Sequence, residues 1–543
     1  MIGHDAIAKA VVEQGIDTAF GVVGDANVFI VDSMVRNHGV RYLAAAHESS
    51  ALQMALGYAR VTGGLGVATV THGPGLTNAI TPLVEGVRSN TPMLLLCGDT
   101  AVVARHHLQK IGQRELVLAT GAGFEPVRSG ETIALDVAQA VRRAYTERRP
   151  IVLDIPYDLE FVDVDPLPAP RAEAPALAVA PDPVALDRAV GIIASATRPL
   201  VLAGRGAVLS GAREPLLRLA ARLGAPVATT LMGRGLFEGD PFDLGIFGTL
   251  STTVASEAIA SADCIIAFGA GLNSMTTYDD SLLAGKRVVQ CDVDPARIGL
   301  LSRVDAGVVG DAGRIADTIV SWLDDAEHKP SGFRSPELEA KLRTYDPAAQ
   351  FADRSTATSV DPRTLTLRLD GLLPAGRTVV VDGGRYMLNA LRVPSKDPMS
   401  FVTSTSFGSI GLGLGHAIGA ATAKPDQPTV LLCGDGGFMM GCLVELNTAI
   451  QAGLDLVIVI YNDGSYGAEH IQFHNKAMDP GLSLHRWPSF AAVAQSMGAT
   501  GVTVHNLDEL ASVGEVIADR QGVVLIDVKL DPQVISETTP AAH

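Results

Sequence analysis

Short continuous apolar runs recur along this chain, each broken by glycine or polar residues and followed by apolar positions at helical spacing. Unbroken apolar runs are what strands buried on both faces look like, and the helical patterns between them predict crossovers of a parallel sheet. The first block opens with an amphipathic helix and predicts a strand at 18–23 before the turn Gly24-Asp25-Ala26-Asn27. It continues through Tyr42-Leu43, a helix at 48–62, a strand at 66–71 ending in His72-Gly73-Pro74-Gly75, a strand at 93–97 before Gly98-Asp99, and a strand at 151–155. A second block predicts strands at 200–202, 226–228, 264–268 and 288–293, and a third has strands at 378–382, 430–433, 456–461 and 523–528 with a glycine-rich helix at 408–423. Residues 163–183, rich in Pro and Ala without periodicity, read as an extended linker, and a polar, proline-containing stretch spans 324–361. The expected class is α/β, with three doubly wound parallel-sheet domains at 1–163, 184–325 and 360–543.

Composition narrows the function. At 543 residues the chain exceeds a single core, and three units fit a size of about 100–200 residues each. A formal charge of −17 argues against a nucleic-acid partner, because phosphate backbones require clustered Lys and Arg. The five cysteines, Cys97, Cys264, Cys291, Cys433 and Cys442, are scattered and mostly inside apolar runs, so they read as reduced core residues with neither zinc spacing nor a disulfide framework. The first residues carry acids rather than a basic-apolar signal, and no stretch of about 18 uninterrupted apolar residues occurs, which makes the cytoplasm the expected location.

The chemistry concentrates in 429–467, one strand-helix-strand unit. Its first strand stops at Gly434-Asp435-Gly436-Gly437, a helix with Met439, Met440, Leu443, Leu446 and Ile450 on one face comes next, and the second strand ends at Asn462-Asp463-Gly464. The crossover makes the two strands parallel, so Asp435 and Asn462 emerge at one carboxyl edge, where such sheets bind ligands. A carboxylate, an amide oxygen and the Gly464 carbonyl form a partial oxygen cage suited to Mg2+ or Ca2+. The glycines admit a phosphate close to the helix start, which predicts a diphosphate held through a divalent metal. The four residues Gly434 to Gly437 alone read equally as a tight turn.

As a unit, Gly434-Asp435-Gly436 followed after residues 437–461 by Asn462 resembles the thiamine diphosphate motif, and the chain from end to end resembles the acetolactate synthase and benzoylformate decarboxylase group. That resemblance implies thiamine diphosphate and Mg2+, with a pyrimidine-binding first domain, a central Rossmann-like domain and a diphosphate-binding third domain. Asp435, Asn462 and the Gly464 carbonyl would ligate the metal, and Glu48, in Ala46-His47-Glu48-Ser49, would hydrogen-bond N1′ of the aminopyrimidine and so activate the cofactor. Glu48 also reads as an ordinary acid at a helix start. Ile410, within Gly408-Ser409-Ile410-Gly411, would be the apolar wedge that bends the cofactor, with the backbone of Gly408 and Ile410 on the pyrimidine edge. Gly384-Arg385-Tyr386 would contact the diphosphate, Arg385 replacing the family's uncharged residue. Ser465 and Tyr466, in 462–468, which is closest to benzoylformate decarboxylase, would also contact the cofactor.

At the substrate end, His72, Gly75 and Gln113 fall where the acetolactate synthase type has a glycine-proline loop and a substrate-facing glutamine, with Gly112 replacing a neighbouring aromatic. Asp25 and His106-His107 resemble the acid and histidine pair of pyruvate decarboxylase, although two solvated surface histidines are an equal reading. The central Arg-Phe-Asp-Asp-Arg run that binds FAD in acetolactate synthases is Gly271-Leu272-Asn273-Ser274-Met275 here, so no FAD is expected. Gly269-Ala270-Gly271 with Asp292 and Asp294 reads as plain sheet turns or as a weak dinucleotide signal. The resulting expectation is decarboxylation of a 2-oxo acid followed by carboligation. Simple decarboxylation and a non-catalytic thiamine diphosphate-binding homologue are the alternatives. The resemblance also implies a homodimer or homotetramer, with Glu48 and Asp435 meeting only across subunits.

Overall fold

In a computed structural model of the chain, residues 1–173, 179–395 and 397–534 are described, without the side chain of Cys442. Part of the expected linker (174–178) and the last residues of the expected third domain (535–543) lie outside the described residues. The chain divides into two compact units: 1–175 with 353–393 and 401–543, and 176–352 with 394–400. Short segment 394–400 therefore leaves the first unit and joins the second.

The first unit holds two six-stranded sheets. One comprises β1 (Thr18–Gly21), β2 (Arg41–Ala44), β3 (Gly66–Val70), β4 (Met93–Asp99), β5 (Gly123–Pro126) and β6 (Pro150–Pro156), ordered β2-β1-β3-β4-β6-β5. The second unit holds β7 (Pro199–Ala203), β8 (Val227–Thr229), β9 (Asp243–Ile246), β10 (Cys264–Phe268), β11 (Arg287–Asp292) and β12 (Ala306–Val309), ordered β12-β11-β10-β7-β8-β9. The remaining sheet of the first unit comprises β13 (Thr378–Val381), β14 (Phe401–Thr403), β15 (Thr429–Gly434), β16 (Leu456–Asn462), β17 (Thr500–Val504) and β18 (Val523–Lys529), ordered β14-β13-β15-β16-β18-β17. Counted within its own sheet this is the order 2-1-3-4-6-5, identical to that of the first sheet.

Every described pairing within the three sheets is parallel, as the unbroken apolar runs require. Central strands such as β10, Cys-Ile-Ile-Ala-Phe, and β16 are buried along their whole length. Cys97, Cys264, Cys291 and Cys433 are buried and not joined in disulfides. No helix of the described residues is long and apolar enough to cross a membrane.

Two expected helices differ from the sequence reading. The glycine-rich one runs Gly413–Ala423, not from 408, because Gly408 (φ 77°) and Gly411 (φ 83°) take left-handed backbone and break it. After Asp435 the chain passes through a π-helical turn, Phe438–Cys442, before the helix Glu445–Gln451. That wider turn rotates the register, so Met439, Leu443 and Ile450 pack on the core while Met440 is exposed.

The first and last sheets are joined by the helices Glu48–Thr62 and Gly413–Ala423, which cross at glycines. A Cβ on Gly57 would lie 2.1 Å from the His416 carbonyl oxygen, and one on Gly419 would lie 1.9 Å from that of Met54. Only backbone fits there.

Candidate active site at the carboxyl edges of the two like sheets

In the order 2-1-3-4-6-5 the chain reverses direction between the first and third strands, and the crevice at such a reversal is where open α/β sheets bind ligands. In the last sheet that point lies between β13, which runs into Asp382-Gly383-Gly384, and β15, which runs into Asp435.

Asp435 is buried, 3% exposed, and its carboxylate receives neutral donors: the Gly436 amide at 2.8 Å, the Gly464 amide at 2.8 Å and the Trp487 indole at 2.9 Å. Burial, with the nearby Asp463 carboxylate, pushes its pKa up to about 7. Asn462 Oδ1 receives the same Gly464 amide, at 3.2 Å, while its Nδ2 donates to Asp527 at 2.7 Å, which fixes the oxygen inward. Two oxygens thus converge on one point, and the groups that donate to them there carry no charge. Beside them Gly434 has open space where a Cβ would be, and Gly464 sits at φ 67°. A hard oxygen donor set, a buried carboxylate met by neutral donors and an open glycine edge fit a divalent metal carrying phosphate. The Gly464 carbonyl already accepts the His485 amide at 2.7 Å, which leaves it one further lone pair.

Ile410 stands over this turn. It lies 3.3 Å from a Cβ position on Gly383 and 3.6 Å from one on Gly437, so the expected wedge and the expected diphosphate turn are brought together. Asp382, buried at the end of β13, holds the wedge loop by accepting the Gly411 amide at 2.8 Å and the Ser404 hydroxyl at 2.8 Å. Gly384 takes φ 119°, and Gly408 has open space around it.

Arg385, expected to face phosphate, is engaged elsewhere. Its guanidinium, 4% exposed, donates to Asp463 at 2.8 Å and to the carbonyls of Pro532 and Val534. The Tyr386 hydroxyl also donates to Asp463, at 2.8 Å, and Ser465 gives that carboxylate its amide and hydroxyl. A buried carboxylate holds a cation more strongly than an open crevice does, and Arg385, Tyr386 and Ser465 are accordingly organised around Asp463. Tyr466 packs edge-on against His485, 4.5 Å between ring centroids, and His485 stacks on Trp487.

In the first sheet the corresponding reversal lies between β1 and β3, which run toward Asp25 and His72. His72 is 3% exposed, its Nε2 is buried without a partner, and its ring lies 5.1 Å from that of His107. Burial and His107 hold this imidazole below the ordinary histidine range, and Asp99 and Asp25 oppose that. Of the histidine pair, His107 joins the cluster, while both residues remain exposed at the surface.

Gln113, expected to face substrate, is an internal brace. Its oxygen accepts the Gly73 amide at 2.9 Å, and its amide donates to the Gly98 carbonyl at 3.0 Å and to Asp154 at 2.8 Å, with 3% of the residue exposed. Burial and Asp99 raise the pKa of Asp154 to about 7. Gly75 is buried in the short helix Pro74–Thr77. Glu48 opens its helix half-exposed and accepts from Asn78 at 3.0 Å.

The residues the sequence reading did not single out for the site are Asp382, Trp487, His485 and Asp527. Only Asp382, ending an apolar strand, carried a local signal; the others reach the site from distant segments. In the second unit, Asn273 caps the short helix Ser274–Thr277, in the stretch that corresponds to the FAD-binding run, and Asp292 and Asp294 cap their own turn.

Three family profiles match in order: "Thiamine pyrophosphate enzyme, N-terminal TPP binding domain" over 1–116, "central domain" over 186–319 and "C-terminal TPP binding domain" over 382–528. The chain is 30% identical to a probable acetolactate synthase large subunit of Methanocaldococcus jannaschii, over 98% of this chain and 92% of that protein. It is 29% identical to the corresponding protein of Methanococcus aeolicus, over 100% of this chain and 94% of that protein. A sulfoacetaldehyde acetyltransferase of Rhodobacter capsulatus is 28% identical, over 96% of this chain and 92% of that protein. With three profiles in their proper order and full-length relatives at this identity, the chain belongs to the thiamine pyrophosphate enzymes, in the group that resembles acetolactate synthase large subunits.

Proposed function

We propose that this protein uses thiamine diphosphate and Mg2+ to decarboxylate a 2-oxo acid and to join the remaining fragment to a second carbonyl compound. The observation that carries the reading is the buried convergence of Asp435 and Asn462, met by neutral donors, beside the Gly434 edge, with Ile410 above it. Asp435, Asn462 and the Gly464 carbonyl would hold the metal, and the glycine turn 434–437 and Gly384 would face the diphosphate. When bound, the cofactor supplies the nucleophilic carbon and the electron sink that let a 2-oxo acid lose CO2. Glu48 would hold a proton at the pyrimidine N1′, Ile410 would keep the two rings bent together, and Gly75 and Gly408 would border the pyrimidine. Relatives named acetolactate synthase and acetyltransferase support carboligation.

His72 favours a second reading for the product step. An imidazole held neutral, with its Nε2 buried and unpartnered and His107 beside it, suits proton delivery, which would release an aldehyde instead. Incubating the protein with thiamine diphosphate, Mg2+ and a panel of 2-oxo acids, then identifying products, separates the two. A hydroxyketone or hydroxy-oxo acid supports ligation, and an aldehyde alone overturns it. Glu48→Gln should lower turnover by about two to four orders of magnitude. We further propose that the active unit is at least a dimer and carries no FAD; a flavin absorption band in the purified protein would refute the latter.

A further inference from the structure

Glu85 and Glu445 are among the most deeply buried acids of the chain, 1% and 0% exposed, and neither belongs to the residues placed at the cofactor above. Each reaches from its own sheet's layer into the other. Glu445, at the start of Glu445–Gln451, accepts the Ala46 amide (3.0 Å to Oε1, 3.2 Å to Oε2) and the His47 amide at 3.0 Å. Glu85, in the helix Ile80–Arg88, accepts the Ser406 amide at 3.1 Å and the Phe407 amide at 2.7 Å.

The two contacts are one device used twice. The two sheets share their strand order, and each carboxylate sits on the helix that leads into the fourth strand of its sheet. Each receives two consecutive backbone amides from the loop that leads into the other layer's crossing helix. Those helices touch through glycine backbone, and the carboxylates hold the loops that enter them by their amides. Amides at such positions have no partner within the helix, and two of them on one ionised acceptor make a strong, directional pair. The next residues along each loop give the contact its meaning. Glu48 comes directly after Ala46 and His47, and Gly408 comes directly after Ser406 and Phe407, with Ile410 two residues further on.

We propose that Glu445 and Glu85 are positioning residues, Glu445 fixing Glu48 and Glu85 fixing the Ile410 wedge, each from the opposite layer through two backbone amides. The roles of Glu48 and Ile410 themselves rest on the thiamine diphosphate reading. The clamps are a separate matter of backbone protection.

The test uses the full-length chain with Glu445→Gln and Glu85→Gln, which keep side-chain shape but remove the charge and half of the acceptor capacity. Hydrogen exchange read by mass spectrometry should rise about tenfold over 45–48 in Glu445→Gln and leave 405–408 unchanged, and the reverse should hold for Glu85→Gln. Glu445→Gln should lower kcat about 10- to 100-fold while the calorimetric Kd for thiamine diphosphate with Mg2+ stays within about threefold. Combining it with Glu48→Gln should cost nothing beyond Glu48→Gln alone, because one residue acts through the other. Unchanged exchange in the clamped segments, or a double variant whose loss is the product of the two singles, overturns the proposal. If Glu445→Gln does not fold, Glu445→Asp, which withdraws the charge by one methylene, takes its place with the same expected exchange. If the unmutated chain fails to bind thiamine diphosphate, the cofactor reading falls, and the exchange data still decide whether the clamps exist.

Discussion

The first and last sheets of this protein place their strands in the same order and reverse direction at the same point, yet the two reversals carry opposite chemistry. At one, Asp435 and Asn462 present oxygen to an open edge, and the donors to the carboxylate are neutral. At the other, His72 is held neutral, and the nearby acid Asp154 is itself raised to about 7 by burial and by Asp99. A single topology thus supplies one crevice whose oxygens are suited to a cation and another in which burial works against the charged forms of His72 and Asp154. Topology determines where the crevice opens, and the residue that ends each strand determines what it attracts.

The comparison breaks most decisively at Asp435. Asp435→Asn should weaken thiamine diphosphate binding in the presence of Mg2+ by at least about a hundredfold in calorimetry, the scale on which metal sites lose affinity when their donor set is altered. An unchanged Kd would mean the cation does not sit at this reversal. Arg385→Met should come next, at roughly 3–5 kcal/mol in chemical denaturation, because it leaves Asp463 buried without its cationic partner. Full stability with lost cofactor affinity would return Arg385 to the phosphate. Gln113→Ala should cost about 2–3 kcal/mol, as it strands the Gly73 amide and Asp154, and should leave substrate KM nearly unchanged.

The shallowest effect, counted per pH unit, concerns pH. Asp154 is raised to about 7 in the fold from an ordinary value of 3.8, so the folded chain holds a proton there that the unfolded chain has released. That contribution is complete below about pH 4 and is lost as pH rises through 7, at no more than about 1.4 kcal/mol per pH unit. Asp154→Asn should therefore flatten the decline in stability across that window, whereas an unaltered slope would remove the contrast drawn between the two crevices.

The same physics decides how much of this was legible in the sequence. Interior strands such as β10 and β16 are buried on both faces and show as continuous apolar runs. The five strands the apolar pattern did not reveal, β5, β9, β12, β14 and β17, all lie at sheet edges, where three- to five-residue strands mix in polar residues and glycine. The turn that pairs Asp435 with Asn462 was legible because the two residues end two strands of one crossover, so their spacing in the sequence is their proximity in space. The Arg385 and Tyr386 partners of Asp463 and the Gly73 and Asp154 partners of Gln113 were not, since each lies dozens of positions away. Arg385 shows the limit clearly: its side chain suits a phosphate, and only the fold reveals that Asp463 claims it first.

Where the helices Glu48–Thr62 and Gly413–Ala423 meet, the separation between them is the thickness of two peptide backbones. At Gly57 and Gly419 backbone meets backbone, and beside them Gly415 faces the Gln53 side chain. Any side chain added at Gly57 or Gly419 must therefore push the two halves of the unit apart as whole backbones, an all-or-nothing change in their spacing.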